Sequence, residues 1–568
     1  MTKLYKSHQK RIKAIVVLTL LLISVTTIRT LYIQFFKNNT VSNYINKKIE
    51  GDRGFIFDRN GVKLAYDIDY CDLYLDNLNF SDFDEVKYFM KEYFNKSIDF
   101  DSLKIQFGSS KVPLIEGISK RKVMTLKNIM DRYPSIKKSI TYKGRYYPKK
   151  DLASQLIGQF SHKRNSEGLW GVEHSMNDFL KGKISNLPYY VTARGSKKKD
   201  FSEEDFSKLS GNNVTLTIDV EYQRILEQEL VSQLKKTNSK TANGIIVNPY
   251  NGEILALASV PGSNLNQVLS NQERSRDYST SYNYEPGSTL KPFSILAGLK
   301  QKKITLSDKY YCEKGEYHIP DIRRKIIDHE PRDTLTVKEI LAYSSNIGMA
   351  KISSDIGQKD IYEMLRVFGF GQDPGLSYYN KEKGSLKKIK DWVPKHSRIA
   401  MSIGQEINAT NLQLAMAYSA IANGGYLLKP KIIKDIVGKE LGSPAPGIIR
   451  KVADKKDLNL LIEALKMTVI SGTAESLYSD DYCSYGKTGT SQVFDKDKGK
   501  YSDSTYIASY ASVFPCEKPK LVCVVSFIEP DIEYRWATQT AVPVVQKILD
   551  KILIKDKDLA IEILDEVE

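Results

Sequence analysis

The sequence predicts an α/β catalytic domain, preceded by a mixed α+β region and, at the N-terminus, by one helix long enough to cross a membrane. Three observations carry that reading. A continuous apolar run follows a basic start; short strand-like runs mixed with charged helical stretches continue to about residue 212; and from Val214 onward strands frame a helical middle, which implies a sheet with helices on both faces. At 568 residues the chain is too long for one ordinary core, and 41% hydrophobic residues suffice to build two or more.

Residues 1–13 carry Lys3, Lys6, Lys10, Arg11 and Lys13 with no acid, and Ala14 to Ile28 is free of charge. Continued past Arg29 to Phe36, the run has 23 residues, enough to cross ~30 Å of hydrocarbon at ~1.5 Å per residue. The positive-inside rule keeps the basic tail cytoplasmic and exports the rest. No small-x-small cleavage site follows, so the spacing favours an uncleaved signal anchor at 14–36 over a cleaved signal peptide. Arg29 lies toward the outer end, where it snorkels to the interface or faces a partner helix.

Residues 37–212 offer no obvious catalytic groups. Phe55 and Phe57 alternate ahead of Asn60-Gly61, a hairpin signal, and Phe83 to Asn95 reads as a charged helix. A glycine-punctuated piece runs from Arg145 through Gly158 to Gly168-Leu-Trp-Gly-Val-Glu173. Arg53, Asp58 and Arg59 are read as pinning the hairpin through ion pairs rather than as recognising a ligand. Lys197, Lys198 and Lys199 read as a solvated loop.

From residue 213 to 555 the texture changes. Val214 to Ile218 is a strand, Asp219 a plausible N-cap, and Tyr222, Ile225, Leu226, Leu230 and Leu234 form one helical stripe. Gly244 to Asn248 and Glu253 to Ala258 read as strands joined across Asn251-Gly252. Helices dominate from Val337 to about Ile421; strands return at Ser484 to Phe494, Thr505 to Phe514 and Lys520 to Ile528, and a last helix spans about Ala541 to Ile554. Residues 556–568 are a charged tail.

The net charge of +16 invites a nucleic-acid reading, but no zinc finger, RNP motif or helix-turn-helix signature supports it. Scattered lysines fit an anionic membrane surface or anionic wall polymers better. Cys71, Cys312, Cys483, Cys516 and Cys523 are odd in number and lack a Cys-x-x-Cys pair, which supports neither a disulfide framework nor a metal site. The six histidines show no ligand spacing, so no catalytic metal is expected.

The chemistry concentrates at Tyr284-Glu-Pro-Gly-Ser-Thr-Leu-Lys-Pro-Phe293. Pro286 and Gly287 break the chain ahead of an apolar helical run, which puts Ser288 at a helix N-terminus and Lys291 one turn later on the same face, within reach of its hydroxyl. A lysine stripped of water can act as the base a serine nucleophile needs. Alone the pattern is unspecific, since Ser7/Lys10, Ser135/Lys138, Ser232/Lys235 and Ser385/Lys388 repeat it. Its weight comes from Ser344-Ser-Asn346 and then Lys487-Thr-Gly-Thr490 following in order.

Those three motifs, with Arg53 to Ala65, Gly168 to Glu173, Leu216 to Asp219, Ser402-Ile-Gly-Gln405 and Gly472-Thr-Ala474, resemble the class B penicillin-binding proteins, more closely the division type. The resemblance runs from the anchor to about residue 555. It implies a serine β-lactamase-like transpeptidase domain with a central antiparallel sheet flanked by helices, carried on a non-catalytic pedestal (dimerisation-type) domain at 37–212. It implies a single-pass protein of the cytoplasmic membrane with its catalytic domain outside, no metal or organic cofactor, and a penicillin-sensitive D,D-transpeptidase that cross-links peptidoglycan stem peptides at the septum. The implied partners are D-Ala-D-Ala donor peptides, β-lactams, a SEDS-type glycosyltransferase and other division proteins.

Carried residue by residue, the resemblance makes Ser288 the nucleophile, Lys291 its base, Ser344 a proton relay and Asn346 a partner of Lys291 or of the substrate backbone. Lys487 gives positive charge for the terminal carboxylate, and Thr488 and Thr490 hydrogen-bond it. The N–H groups of Ser288 and Thr490 form an oxyanion hole. Gly489 lets the substrate lie along the edge strand. An elongation-type transpeptidase, a β-lactamase or β-lactam sensor, and an inactive division scaffold are the rivals; the anchor, the long preceding region and the intact motifs weigh against the last two.

Overall fold

The computed structural model describes residues 2–35, 44–76, 83–107, 111–161, 167–192, 196–267, 275–319, 325–376, 381–438, 446–495, 497 and 499–561. The last expected anchor residue, Phe36, the start of the following region at 37–43 and the tail beyond 561 lie outside the described residues. The chain forms two compact units, one from Met1–Asp52 with Gly182–Gly211, the other from Arg53–Lys181 with Asn212–Glu568.

In the first unit, Thr2–Phe35 is one continuous helix, so the basic tail extends the apolar run without a break, and the segment Lys6–Phe35 is long and apolar enough to cross a membrane. Thr19, Thr26, Thr27 and Thr30 donate their hydroxyls to carbonyls four residues back, at 2.7–2.9 Å, so all four hydroxyls are satisfied within the helix. Strand Ile184–Val191 pairs with Tyr44–Glu50 on one side and Lys197–Lys199 on the other, all antiparallel. The three lysines thus form a strand where a loop was expected. Their backbones complete the ladder opposite Val191, Tyr190 and Tyr189 while the side chains stay in water, and the Lys199 amine lies 5.6 Å from the Phe201 ring.

In the second unit the hairpin Ile56–Phe57/Lys63–Leu75 forms as the Asn60-Gly61 turn predicts. Arg53 Nε donates to Glu173 at 2.8 Å, and Arg145 Nε donates to the other oxygen of the same carboxylate at 2.6 Å while pairing with Asp67 at 3.1 Å. Glu173 is fully buried, so this Arg-Glu-Arg-Asp group ties the hairpin region, through Arg53 and Asp67, to the glycine-punctuated piece, through Arg145 and Glu173. Arg59 pairs with Glu253 at 3.3 Å. Asp58 differs from the ion-pair expectation: its carboxylate accepts the N–H groups of Asn60, Val62 and Val220.

The catalytic sheet has the order Ile254–Val260, Thr241–Val247, Leu521–Ile528, Lys500–Phe514, Tyr485–Asp495, antiparallel throughout. Both faces are covered, so its inner strands read as almost continuous apolar runs. Ile245, Val247, Val522 and Val524 join the core built with Lys291–Lys300 and Asn411–Ala422; Ile246, Cys523, Val525 and Phe527 join the core built with Val220–Thr237 and Val542–Lys555. Asp219 caps Val220–Thr237 as expected, accepting from Glu221 N and Tyr222 N.

One disulfide corrects the cysteine reading. Cys483 and Cys516 are bonded, with Cα atoms 5.3 Å apart, across the open end of the hairpin made by the last two strands of the sheet order. Separated by 33 residues, they meet only because Tyr485 pairs with Val513. Cys71, Cys312 and Cys523 are buried free thiols.

Candidate active site

Ser288 sits in a 3-10 turn, Gly287–Leu290, and the α-helix begins only at Lys291. The expected helix N-terminus is therefore a tighter turn, and two glycines explain it. Gly287 adopts φ +56° and donates its N–H to Gly404 O at 3.0 Å; Gly404, at φ +80°, comes so close that a Cβ there would lie 2.0 Å from Gly287 O. Ser402 to Gln405 thus forms the back wall of the serine turn. Thr289 closes it, donating its hydroxyl to Pro286 O at 2.8 Å.

Lys291 is fully buried. Its amine donates to Ser344 O at 2.6 Å, to Asn346 Oδ1 at 2.8 Å and to Ser344 Oγ at 3.2 Å, and makes no hydrogen bond to the Ser288 hydroxyl. The contact with Ser288 expected from helical spacing is replaced by contacts with the second motif. Burial lowers the Lys291 ammonium to about 7, with the charge of Asp328 acting in the opposite direction.

The second motif bends sharply. Ser344 takes φ +61°, a left-handed conformation that costs a non-glycine residue ~1 kcal/mol or more and persists only where its surroundings enforce it. Ser345 is the N-cap of Asn346–Ile356, its hydroxyl accepting Gly348 N at 2.9 Å and donating to Asp328 Oδ2. Asp328 Oδ1 accepts the N–H groups of Asn346 and Ile347.

Tyr485–Asp495, the edge strand, carries the third motif. Lys487 is fully buried and donates to Thr488 O at 3.1 Å and Thr488 Oγ1 at 3.2 Å. Burial, reinforced by the nearby Lys291, drives its ammonium well below the ordinary lysine value. The Thr488 hydroxyl lies 2.7 Å from that of Thr473, and Thr490 Oγ1 accepts Ala537 N at 3.2 Å. A Cβ on Gly489 would meet Pro286 O and Ser509 Oγ at 2.7 Å and Thr289 at 2.8 Å. That glycine is required by the approach of the serine turn, a different cause from the substrate clearance expected.

Ser288, Ser344, Asn346, Thr488 and Thr490 open together onto one cleft of about 460 Å³, with Lys291 and Lys487 buried. Thr473 lines the same cleft; so do His329 and Trp536, whose ring centroids lie 3.9 Å apart with the planes tilted by 36°, and Arg332, which lies 3.8 Å from the Tyr343 ring. In the sequence, nothing in Gly472-Thr-Ala474 marks Thr473 for a role, and nothing marks Asp328. In Ile-Ile-Asp-His, between turn-rich stretches, the acid carries no spacing signal.

Residues 243–550 match the family model described as penicillin binding protein transpeptidase domain, and residues 48–216 the one described as penicillin-binding protein dimerisation domain. The chain is 26% identical over 569 residues to stage V sporulation protein D of Bacillus subtilis, covering 95% of this chain and 85% of that protein. It is 27% identical over 563 residues to the peptidoglycan D,D-transpeptidase FtsI homolog of Mesostigma viride, covering 92% of each. Among solved structures, penicillin binding protein 3 from Mycobacterium tuberculosis, complexed with aztreonam, matches with a TM-score of 0.68 at 21% identity, over 90% of this chain and 97% of that one. That likeness is one of fold.

Proposed function

This chain belongs to the class B penicillin-binding proteins and is a peptidoglycan D,D-transpeptidase, and we propose that it cross-links septal peptidoglycan through a Ser288 acyl-enzyme that β-lactams intercept. The observation that supports these roles most is the buried Lys291 amine, lowered to about 7 and held against Ser344 and Asn346 in the site that Ser288 shares. Such an amine is neutral over part of the physiological range and is suited to accept a proton.

In the proposed sequence, Ser288 Oγ attacks the carbonyl between the two terminal D-alanines and its proton passes to Lys291. The C–N bond breaks, Ser344 relays the proton to the departing amine, and D-alanine leaves. An acceptor amine then attacks the ester, forms the new peptide bond and returns a proton to Ser288. The substrate carboxylate meets the Thr488 and Thr490 hydroxyls, with Lys487 acting behind Thr488, to which it donates. The N–H groups of Ser288 and Thr490 take the oxyanion role. Gly489 contributes by admitting the serine turn against the strand.

The septal role rests on the likeness to the FtsI homolog and on Asn346 in the second motif. We place the catalytic domain, 213–555, outside the cytoplasm, anchored by the N-terminal helix and carried on the 37–212 pedestal, with a SEDS-type glycosyltransferase as its partner at the membrane; the Cys483–Cys516 disulfide supports an oxidising location. Purified full-length protein should release D-alanine from a pentapeptide ending in D-Ala-D-Ala and join it to an amine acceptor, and Ser288→Ala should do neither. Depletion should give filaments that elongate without dividing. Rounded cells would favour the elongation reading, and a defect confined to sporulation would match the role named for the Bacillus relative.

A further inference from the structure

Asp328 directly follows the short strand Lys325–Ile327, and its N–H donates to Gly315 O at 3.1 Å. It is 7% exposed, and a carboxylate so enclosed needs donors for both oxygens. They come from one place. Oδ1 accepts Asn346 N and Ile347 N, and Oδ2 accepts the Ser345 hydroxyl, so the carboxylate grips the N-cap and the first two N–H groups of Asn346–Ile356.

Immediately before this grip lies Ser344 in its left-handed conformation, and immediately within it lies Asn346. Ser344 O, Ser344 Oγ and Asn346 Oδ1 are the three atoms to which the Lys291 amine donates. We propose that Asp328 is a positioning residue of the acylation centre: it clamps Ser345–Ile347 so that Ser344 and Asn346 converge on the Lys291 amine, and it supplies the negative charge that faces that amine.

The charged neighbours fix the sign. Lys291 senses Asp328, which raises its proton affinity, and lies near Lys487, whose own affinity it lowers. The charge of Asp328 also acts on the Cys312 thiol, which the Ser345 hydroxyl approaches at 3.6 Å and on which Lys351 acts with the opposite sign. Without the Asp328 charge, burial acts on Lys291 unopposed, and the amine loses its proton at lower pH.

The proposal rests on Lys291 being the base. Its test is the acylation rate of the full-length protein with a fluorescent penicillin, followed from about pH 5 to about pH 9. Asp328→Asn is nearly isosteric: one oxygen still accepts both N–H groups, and the Ser345 hydroxyl can rotate to accept from the new amide. Its rate should rise at a pH lower by at least about half a unit than the unaltered protein's, with melting temperature little changed. An unmoved midpoint overturns the proposal. Asp328→Glu keeps the charge but displaces the carboxylate, so its midpoint should stay in place while the plateau falls about tenfold or more; an undiminished plateau overturns the clamp. If Lys291→Arg acylates normally, the base reading itself fails, whereas a Lys291-dependent rate with no shift in Asp328→Asn removes Asp328 alone.

Discussion

Asn346 Oδ1 accepts a 2.8 Å hydrogen bond from the Lys291 amine, which ties the second motif to the first beneath the serine. With burial holding that amine to about 7, acylation by penicillin should rise with pH through about 7 and level off above it, because only the neutral amine can accept the Ser288 proton. A flat profile across that range would contradict the role. The same depression affects stability: from about 7 up to the ordinary lysine value of 10.5 the unfolded chain holds a proton that the fold excludes, so this residue makes stability rise with pH over that window.

Gly489→Ala separates packing from substrate clearance. The added methyl would press on Pro286 O and Ser509 Oγ at 2.7 Å, which costs about 1–3 kcal/mol and shifts the serine turn. Acylation should slow at saturating penicillin, about tenfold for each 1.4 kcal/mol added to the barrier. A loss confined to the initial binding constant would restore the substrate-clearance explanation.

Glu173→Gln removes the charge that Arg53 and Arg145 share in the buried pedestal network. Breaking such a group by one partner costs about 3–5 kcal/mol, so the melting temperature should fall sharply while the acylation rate of the remaining folded protein stays near normal. An unchanged melting temperature would mean that the network carries little stability.

Much of this architecture is legible in the sequence because local signals suffice. Asn60-Gly61 and Asn251-Gly252 set hairpins, Asp219 starts a helix, and strands at both ends of a helical middle announce a sheet with helices on both faces. The three motifs announce the cleft. What escapes has no local signal: the Asp328 carboxylate finds its hydrogen-bond partners at Ser345, Asn346 and Ile347, 17 to 19 residues away, and Cys483 meets Cys516 only once the hairpin between them has formed. Helical spacing does not reveal that Ser344 and Asn346 hold the Lys291 amine, because the turn at Gly287–Leu290 is 3-10 and those partners lie more than 50 residues away.

The Cys483–Cys516 bond closes 33 residues and ties the open end of the hairpin that carries the third motif. Removing it with the paired change Cys483→Ser and Cys516→Ser should cost about 2–4 kcal/mol, read as a lower denaturant midpoint. Protein isolated from cells should show no free thiol at either position; free thiols at both would contradict the disulfide and the exported location together.

The central claim is that Ser288 forms the acyl-enzyme, and intact-protein mass after exposure to penicillin, with the modified residue mapped by proteolysis, tests it most directly. The account predicts one long-lived adduct per chain, located at Ser288 and absent from a correctly folded Ser288→Ala protein. An adduct at another residue, labelling that survives Ser288→Ala, or rapid turnover of penicillin to its hydrolysed product would contradict it.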